Sequence, residues 1–372
     1  MGLEKVVKLE LLDLGFENIV VAPGRVEFDA TLEDIPRANL WLRVADRVRI
    51  KVGEFPATSF EELFEQTKAL PWEAWITRDG AFRVTGKSVR STLMSVRSSQ
   101  AIVKKAVVER LKEQYQVDWF AETGAEYTIQ VSLLNDLALL TIDTSGTGLN
   151  RRGYRELAGD APMKETLAAA LVKLSFWNRD RLLIDPMCGS GTILIEAAMI
   201  ARNIAPGLRR SFASEWWPVI GRKRWQEAQE SAEKAALPFD NPQIFGYDID
   251  PAVIEIAKHN AELAGVADDI VFAQKELKDV WIDQQYGIVI TNPPYGVRMA
   301  DFRDINQIYI TLNNMFRKKM GWSIYVYTAD QKFPDYFHRS RPSRVRKLYN
   351  GTIRADYYQY YGDRPPLPEH EG

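Results

Sequence analysis

The chain has 372 residues, 46% of them hydrophobic and 26% charged, with a formal net charge of −2; this excludes a disordered or low-complexity protein and predicts two or three domains. No apolar run reaches the roughly 18 residues of a membrane helix, and residues 1–10 carry Glu4, Lys5 and Lys8 with no signal-type stretch behind them, so secretion and membrane insertion are not expected. The single cysteine, Cys188, excludes an internal disulfide, and His259, His338 and His370 offer no metal-ligand spacing, which leaves the cytoplasm as the expected compartment.

Residues 6–14 have helical spacing and stop at Gly15, segments 19–22 and 25–28 flank Pro23-Gly24, and 40–52 alternate like a strand, predicting a small α+β unit. Ser59, with Glu62 three residues on, predicts a capped helix ending near Leu70-Pro71. A strand over 81–85, a helix over 98–111 and a hairpin of 126–134 with 137–143 around Asn135-Asp136 close a second α+β unit near residue 145. Residues 144–162, rich in Gly, Ser and Arg, read as a linker with a domain boundary near 145–160, and an amphipathic helix follows over 164–177.

Beyond it, strands and helices alternate: strand 181–184, helix 193–201, strand 243–247, helix 252–264, strands 270–272 and 286–291, helix 305–318 and strand 323–328. That order predicts an α/β domain with a doubly wound, mostly parallel sheet covered on both faces. Residues 344–360, centred on Asn350-Gly351, predict an antiparallel hairpin at its edge.

The small net charge conceals local clusters. Eight basic residues (Arg83, Lys87, Arg90, Arg97, Lys104, Lys105, Arg110, Lys112) stand against the single acid Glu109. Arg339, Arg341, Arg344, Arg346 and Lys347 form a second cluster, and Arg151, Arg152 and Arg155 a third. Each reads as a solvated face or as a surface for phosphates; Lys104 and Lys105 are the leading phosphate contacts.

Three strand ends carry the chemistry. Leu182-Leu183-Ile184 runs into Asp185-Pro186-Met187-Cys188-Gly189-Ser190-Gly191-Thr192 and an apolar helix. Gly189 and Gly191 let backbone approach a ligand, and Asp185 can accept from a cationic or amine group. No lysine occupies the P-loop position, and Leu194 stands where a dinucleotide fingerprint needs its third glycine. The next strand ends in Asp248, where doubly wound folds hold a ribose diol. The third runs through Ile288-Val289-Ile290-Thr291 into Asn292-Pro293-Pro294-Tyr295-Gly296. The Asn292 side-chain oxygen and the Pro293 carbonyl could accept both hydrogens of an exocyclic amine, while Tyr295 stacks on the base. The other reading of this pentapeptide is a Pro-Pro turn with a packed tyrosine.

At these residues the chain resembles the class I S-adenosylmethionine-dependent methyltransferases that methylate amines. Over nearly its full length it is similar to the bacterial THUMP-domain RNA methyltransferases related to the large-subunit ribosomal RNA guanine-N2 enzymes. Leu40-Trp41-Leu42-Arg43, the segment 60–72, Arg151-Arg152-Gly153-Tyr154-Arg155 and Ala161-Pro162-Met163-Lys164-Glu165-Thr166 carry that likeness beside the two motifs. The resemblance implies a ferredoxin-like piece over 1–55, a THUMP RNA-binding domain over 56–155 and a Rossmann-like methyltransferase domain over 156–372. It implies S-adenosylmethionine as cofactor, with Asp185, Gly189 and Gly191 around its methionine part, Asp248 on its ribose and Asp279 on its adenine. Glu276 rivals Asp279, because Lys278 stands where the family has a small residue. Asn292, Pro293, Pro294 and Tyr295 would be the catalytic set, and Lys104, Lys105, Arg151 and Arg152 the RNA contacts, with neither metal nor membrane as partner.

The expected activity is methylation of guanine N2 in structured RNA, 23S rRNA first. Adenine N6 of RNA or DNA, a transfer RNA guanine, a non-catalytic RNA-binding or assembly factor and a nicotinamide oxidoreductase are the alternatives. Asp250 reads as a helix cap or a second ribose contact, Cys188 as a packing residue rather than a nucleophile, and His259 as a surface or capping group. Trp216-Trp217, after Arg209-Arg210, reads equally as a base platform or as a packed insertion.

Overall fold

In the computed structural model, which describes residues 2–155, 163–280, 282–294, 302–338 and 340–364, the chain begins with helix α1 (Glu4–Asp13), a hairpin of β1 (Val20–Ala22) and β2 (Arg25–Glu27), and helix α2 (Asp34–Trp41). The strand expected over 40–52 is not formed as such. Leu40 and Trp41 close α2, residues 42–48 form an irregular link, and β3 spans Arg49–Pro56. Leu40 is fully buried, and its carbonyl accepts from Gly207 N at 2.9 Å, so its alternation with Leu42 reflects packing rather than a sheet.

Helix α3 (Phe60–Lys68) has the predicted reciprocal cap, Glu62 N donating to Ser59 Oγ (3.1 Å) and Ser59 N to Glu62 Oε2 (3.3 Å). Strand β4 (Ala81–Val89), helix α4 (Val96–Tyr115), β5 (Glu126–Leu134) and β6 (Leu137–Asp143) follow. The sheet order is β3-β6-β5-β4, with β4 parallel to β5 and the other neighbours antiparallel. Along β5, buried Tyr127, Ile129, Val131 and Leu133 alternate with more open Thr128, Gln130 and Ser132: one face meets the helices and the other is polar. Asn135 and Asp136, both at positive φ (51° and 63°), make the tight turn into β6.

The second half comprises α5 (Glu165–Lys173), β7 (Leu183–Asp185), α6 (Thr192–Ala201), α7 (Arg222–Lys234), β8 (Ile244–Asp248), α8 (Pro251–Ala264), β9 (Val271–Gln274), β10 (Gly287–Thr291), α9 (Phe302–Phe316), β11 (Trp322–Thr328), β12 (Arg344–Asn350) and β13 (Ile353–Tyr360). Its seven strands are ordered β12-β13-β11-β10-β7-β8-β9. Five run parallel, while β13 pairs antiparallel with β11 and β12, as the edge hairpin was expected to. Both faces are covered: Leu183, Ile288, Ile290, Tyr325 and Tyr327 join a core with α5, α6 and α8, and Ile184, Val289, Ile324 and Val326 join one with α9. The chain starts in the middle at β7, builds outward through β8 and β9, and then returns to β10. That reversal opens a crevice between β7 and β10 at the carboxyl ends of the strands.

The described part of the segment expected to be a linker is anchored by buried residues. Thr144, Ser145, Leu149, Arg152 and Tyr154 are all inaccessible, and residues 156–162 lie outside the described set. Arg152 Nε pairs with Glu196 Oε1 of α6 at 3.3 Å, its guanidinium donates to Leu149 O and Arg43 O, and Tyr154 Oη donates to Glu196 Oε1 at 3.2 Å. Arg43 Nη2 reaches Ile204 O (2.6 Å), and Glu10 accepts from the Arg43 and Val44 amides. A chain passage that must be stripped of water here needs polar partners for its many polar groups, and the neighbouring elements supply them.

The crossover between α6 and β8 fastens the halves a second time. Phe212, Trp217, Ile220 and Trp225 are buried in the amino-terminal core, Trp217 Nε1 donates to Glu126 O (3.0 Å), and Phe212 stacks on Trp225 at 4.9 Å. Of the two readings of Trp216-Trp217, Trp217 follows the packed one, whereas Trp216 is 58% exposed.

Candidate active site

Asp185 is the last residue of β7 and is 2% exposed. Its Oδ1 accepts from Met187 N at 3.2 Å, and the Thr291 hydroxyl lies beside it, but burial dominates and pushes its carboxyl up to about 7. A desolvated acid at the mouth of the crevice is matched by a cation or an amine.

The two glycines of the following loop differ in what they face. Gly191 (φ +79°) is the N-cap of α6, and a Cβ there would come within 2.9 Å of Phe272 and 3.2 Å of Ala257, so it lets the loop seat against β9 and α8. Gly189 (φ +52°) has nothing within 4 Å of its would-be Cβ, and it is the glycine that leaves open space in the crevice. Its N–H donates to Asp248 Oδ2 (3.0 Å), while Asp248 Oδ1 accepts from Asp250 N (3.1 Å). Since Asp185 pairs with Gly246, Asp248 stands two residues past the level of Asp185 on the neighbouring strand.

On the other side of β7, Val289 pairs with Ile184, which brings Asn292 beyond the carboxyl end of β10 and close to the level of the glycine loop. Pro293 is buried and Pro294 half-buried, while Tyr295 lies outside the described residues. The Asn292 side-chain oxygen is buried and has no hydrogen-bond partner among the described residues. Leaving such an acceptor empty costs about 1–3 kcal/mol, which a donor from a ligand would recover.

Asp279 closes a short 3-10 turn after β9, exposed at the same end of the sheet. Lys278 Nζ bridges to Glu276 at 2.5 Å, occupying the rival acid. Asp250 caps α8, its Oδ1 accepting from Ala252 N at 2.8 Å with Pro251 as the first helical residue. Burial raises the Cys188 thiol well above its ordinary range, which fits packing and not nucleophilic attack. His259 sits 3.7 Å from Glu262 on the same helix. Among the described residues no group of three or more His, Cys, Asp or Glu could hold a metal ion, and no helix is long and apolar enough to cross a membrane.

The expected RNA contacts divide. Lys104 and Lys105 are exposed on α4, their ammonium groups 5.9 Å from the Phe82 ring and 5.5 Å from the Phe64 ring, and Arg151 is exposed. Arg152 is not available: it is 2% exposed and spent on Glu196, so its place is the junction between the halves. Arg155 is likewise engaged, with Glu165 at 3.1 Å, and Arg110 binds Glu73 through two nitrogens (2.9 and 2.5 Å).

Asn260 escaped the sequence reading, and Arg155, read there only as part of a basic cluster, supports the glycine loop's helix. Asn260, buried on α8, donates from Nδ2 to Ser190 O (3.2 Å) and so pins the glycine loop. Arg155 reaches Met163 O (2.8 Å) and Thr192 Oγ1 (3.4 Å), tying the junction to the first residue of α6. A polar residue on the apolar stripe of α8, beside Ile254, Ala257 and Ala261, was the available signal for Asn260.

Residues 1–49 match the RlmL ferredoxin-like domain, 57–143 the THUMP domain, and 152–359 the RMKL-like methyltransferase domain. The chain is 49% identical to a Bacillus subtilis (strain 168) protein named "Putative RNA methyltransferase YpsC", over 98% of this chain and 95% of that one. It is 34% identical to the ribosomal RNA large subunit methyltransferase K/L of Psychromonas ingrahamii over 96% of its own length; the chain spans about half of that relative, 49%. Among solved structures, SMU.472 complexed with SAH superposes with a TM-score of 0.91 at 41% identity, covering 98% of this chain and 97% of that one. The crystal structure of a predicted N6-adenine-specific DNA methylase from Listeria monocytogenes superposes with a TM-score of 0.92 at 49% identity, covering 97% of this chain and 94% of that one. The crevice between β7 and β10, the acid and glycine loop on one side of it and the Asn-Pro-Pro turn on the other are thus the features of a class I methyltransferase, and the chain belongs to the RMKL-like methyltransferase family.

Proposed function

We propose that this enzyme methylates an exocyclic amine of a base in structured RNA, guanine N2 of 23S rRNA being the target, with S-adenosylmethionine as the donor. The observation that carries the reading is the buried Asn292 side-chain oxygen, without a hydrogen-bond partner among the described residues, which the register sets just past the end of β10 and beside the β7 end that carries Asp185. The crevice suits the donor: Gly189 leaves space, buried Asp185 calls for a cation, and Asp248 lies where a diol is held. When bound, S-adenosylmethionine supplies an electrophilic sulfonium methyl, the sulfur keeping the electron pair of the broken carbon–sulfur bond as the carbon–nitrogen bond forms.

The protein's part is positional. Asn292 Oδ1 and the Pro293 carbonyl accept the two N–H groups of the amine, aim its lone pair and stabilise the charge that develops on nitrogen, and the released proton passes to water. Tyr295, by the resemblance, stacks on the extracted base. Lys104, Lys105 and Arg151 are the proposed phosphate contacts. RNA is favoured over DNA by the THUMP match and by the K/L relative's name; guanine rests on the likeness to large-subunit enzymes, and adenine is the competing base.

Asp185 gives this reading a pH dependence. Its carboxyl, raised to about 7 by burial, is largely protonated below that pH in the free protein and must ionise to meet the donor's ammonium. Donor affinity is therefore expected to climb about tenfold per pH unit up to about 7 and to level off above it. Asp185→Asn should bind more weakly with no such slope, as titration calorimetry across pH 5.5–8.5 (about three units, enough to bracket the transition) would register. A sloped profile in the variant would assign the proton to another group.

Nucleoside mass spectrometry of RNA from a strain lacking the gene tests the function itself. Loss of one N2-methylguanosine from 23S rRNA is the expected result. Loss of N6-methyladenosine would reassign the base, and unchanged RNA would overturn the RNA reading.

A further inference from the structure

Trp216 stands out in the crossover that joins the halves. Phe212, Trp217, Ile220 and Trp225 anchor that segment in the amino-terminal core, yet Trp216 is 58% exposed, with the Arg222 guanidinium 4.5 Å above its ring. It lines two open surface clefts. One, of about 290 Å³, is also lined by Glu215, Arg222, Trp225, Gln226 and Gln229. The other, of about 510 Å³, is bounded by Gly124, Ala125, Glu126 and Ala213, of which only Glu126 has a side chain longer than a methyl group. Small walls beside an indole leave room for a flat ring, and Glu126, Gln226 and Gln229 offer hydrogen-bonding groups for a base edge.

The surroundings suit a nucleic-acid strand. Glu126 pairs with Ala81 at the start of β4, the edge strand, and Arg83 and Lys87 follow on one face of it, both exposed. Arg83 is held by Thr128 Oγ1 at 3.0 Å. Four residues along a strand span about 13 Å, the distance of about two phosphates in an extended single strand.

We infer that Trp216 is a stacking platform for an unpaired nucleobase of the RNA substrate, apart from the base that is methylated, and that the adjoining phosphates run along Arg83 and Lys87. The inference rests on the RNA reading above, with Arg222 polarising the indole from its other contact and a base completing the stack. Trp216 then fixes the register of the RNA on the amino-terminal half, and the buried junction carries that register to the crevice.

The test uses the full chain, a fluorescein-labelled single-stranded 12-mer oligoribonucleotide and the same strand in a duplex, with anisotropy as the readout. Trp216→Ala should weaken single-strand binding about tenfold, leave the salt slope unchanged and leave duplex binding within about twofold. Trp216→Phe should recover most of the loss, and donor affinity should be the same in all three proteins. A 2-aminopurine placed in the strand should be quenched by the parent and not by Trp216→Ala. Single-strand affinity unchanged in Trp216→Ala, or equal losses for strand and duplex, would overturn the platform while leaving the RNA reading standing. A parent protein that binds neither strand nor duplex would remove both.

Discussion

Asn292→Ala is expected to lower methyl transfer by about 10²–10³-fold while donor affinity stays within about twofold. The residue stands just beyond β10, a strand buried on both faces between β7 and β11, so its backbone is held in place before any substrate arrives. Removing one such preorganised group takes away an interaction that strengthens as charge develops on the attacking nitrogen, and the loss appears in turnover rather than in donor binding. Turnover with a methyl-labelled donor, beside calorimetry of donor binding, separates the two effects. A variant that keeps its turnover, or that loses the donor, would put Asn292 in the wrong pocket.

Glu196→Ala is expected to destabilise the protein by about 3–5 kcal/mol, since it leaves the Arg152 guanidinium buried without its counter-charge. Arg152 is 2% exposed and Glu196 0%. The same argument predicts that the double variant Arg152→Met, Glu196→Leu is more stable than either single change, because two apolar side chains need no partner. Urea unfolding of the parent, Glu196→Ala, the two single changes Arg152→Met and Glu196→Leu, and the double variant measures this. Should Arg152→Met instead unfold like the parent and bind RNA more weakly, the arginine would return to the RNA surface from which its burial removes it.

Much of the catalytic half could be read in the sequence because its signals are local. Strand and helix periods alternate within short windows, and both motif turns follow directly on apolar strands, so residues such as Asp185 and Asn292 could be located at strand ends without knowing the strand order. Cap and turn residues worked in the same way: Ser59 with Glu62 and Asp250 with Pro251 satisfy backbone groups within a few residues of themselves, and Asn135-Asp136 take the positive φ that a tight turn needs.

What could not be read depends on partners distant in sequence. Arg152 looks like part of a basic cluster until Glu196, 44 residues later, is brought against it. The one sequence trace of this pair was an acid inside the otherwise apolar helix 192–201. The linker reading of 144–162 missed the burial of Thr144, Ser145, Leu149, Arg152 and Tyr154 for the same reason, since Gly, Ser and Arg suit solvent until other elements take over their hydrogen bonds. The 164–177 helix was drawn too long: α5 ends at Lys173, and Trp177 reaches the same core from the loop, with its Nε1 donating to Arg181 O at 2.8 Å. Helix α7 was not anticipated, because its polar sequence has Trp225 and Ala232 as its only buried positions and it is held by the far half of the molecule.

Incubating the parent protein and Asn292→Ala with methyl-labelled S-adenosylmethionine and unmodified 23S rRNA, and identifying the labelled nucleoside by mass spectrometry, tests both the base and the role of Asn292. Label is expected on the exocyclic nitrogen of one guanine with the parent and none above background with the variant. Label on a ring carbon or a ribose oxygen, or equal labelling by both proteins, would contradict this reading.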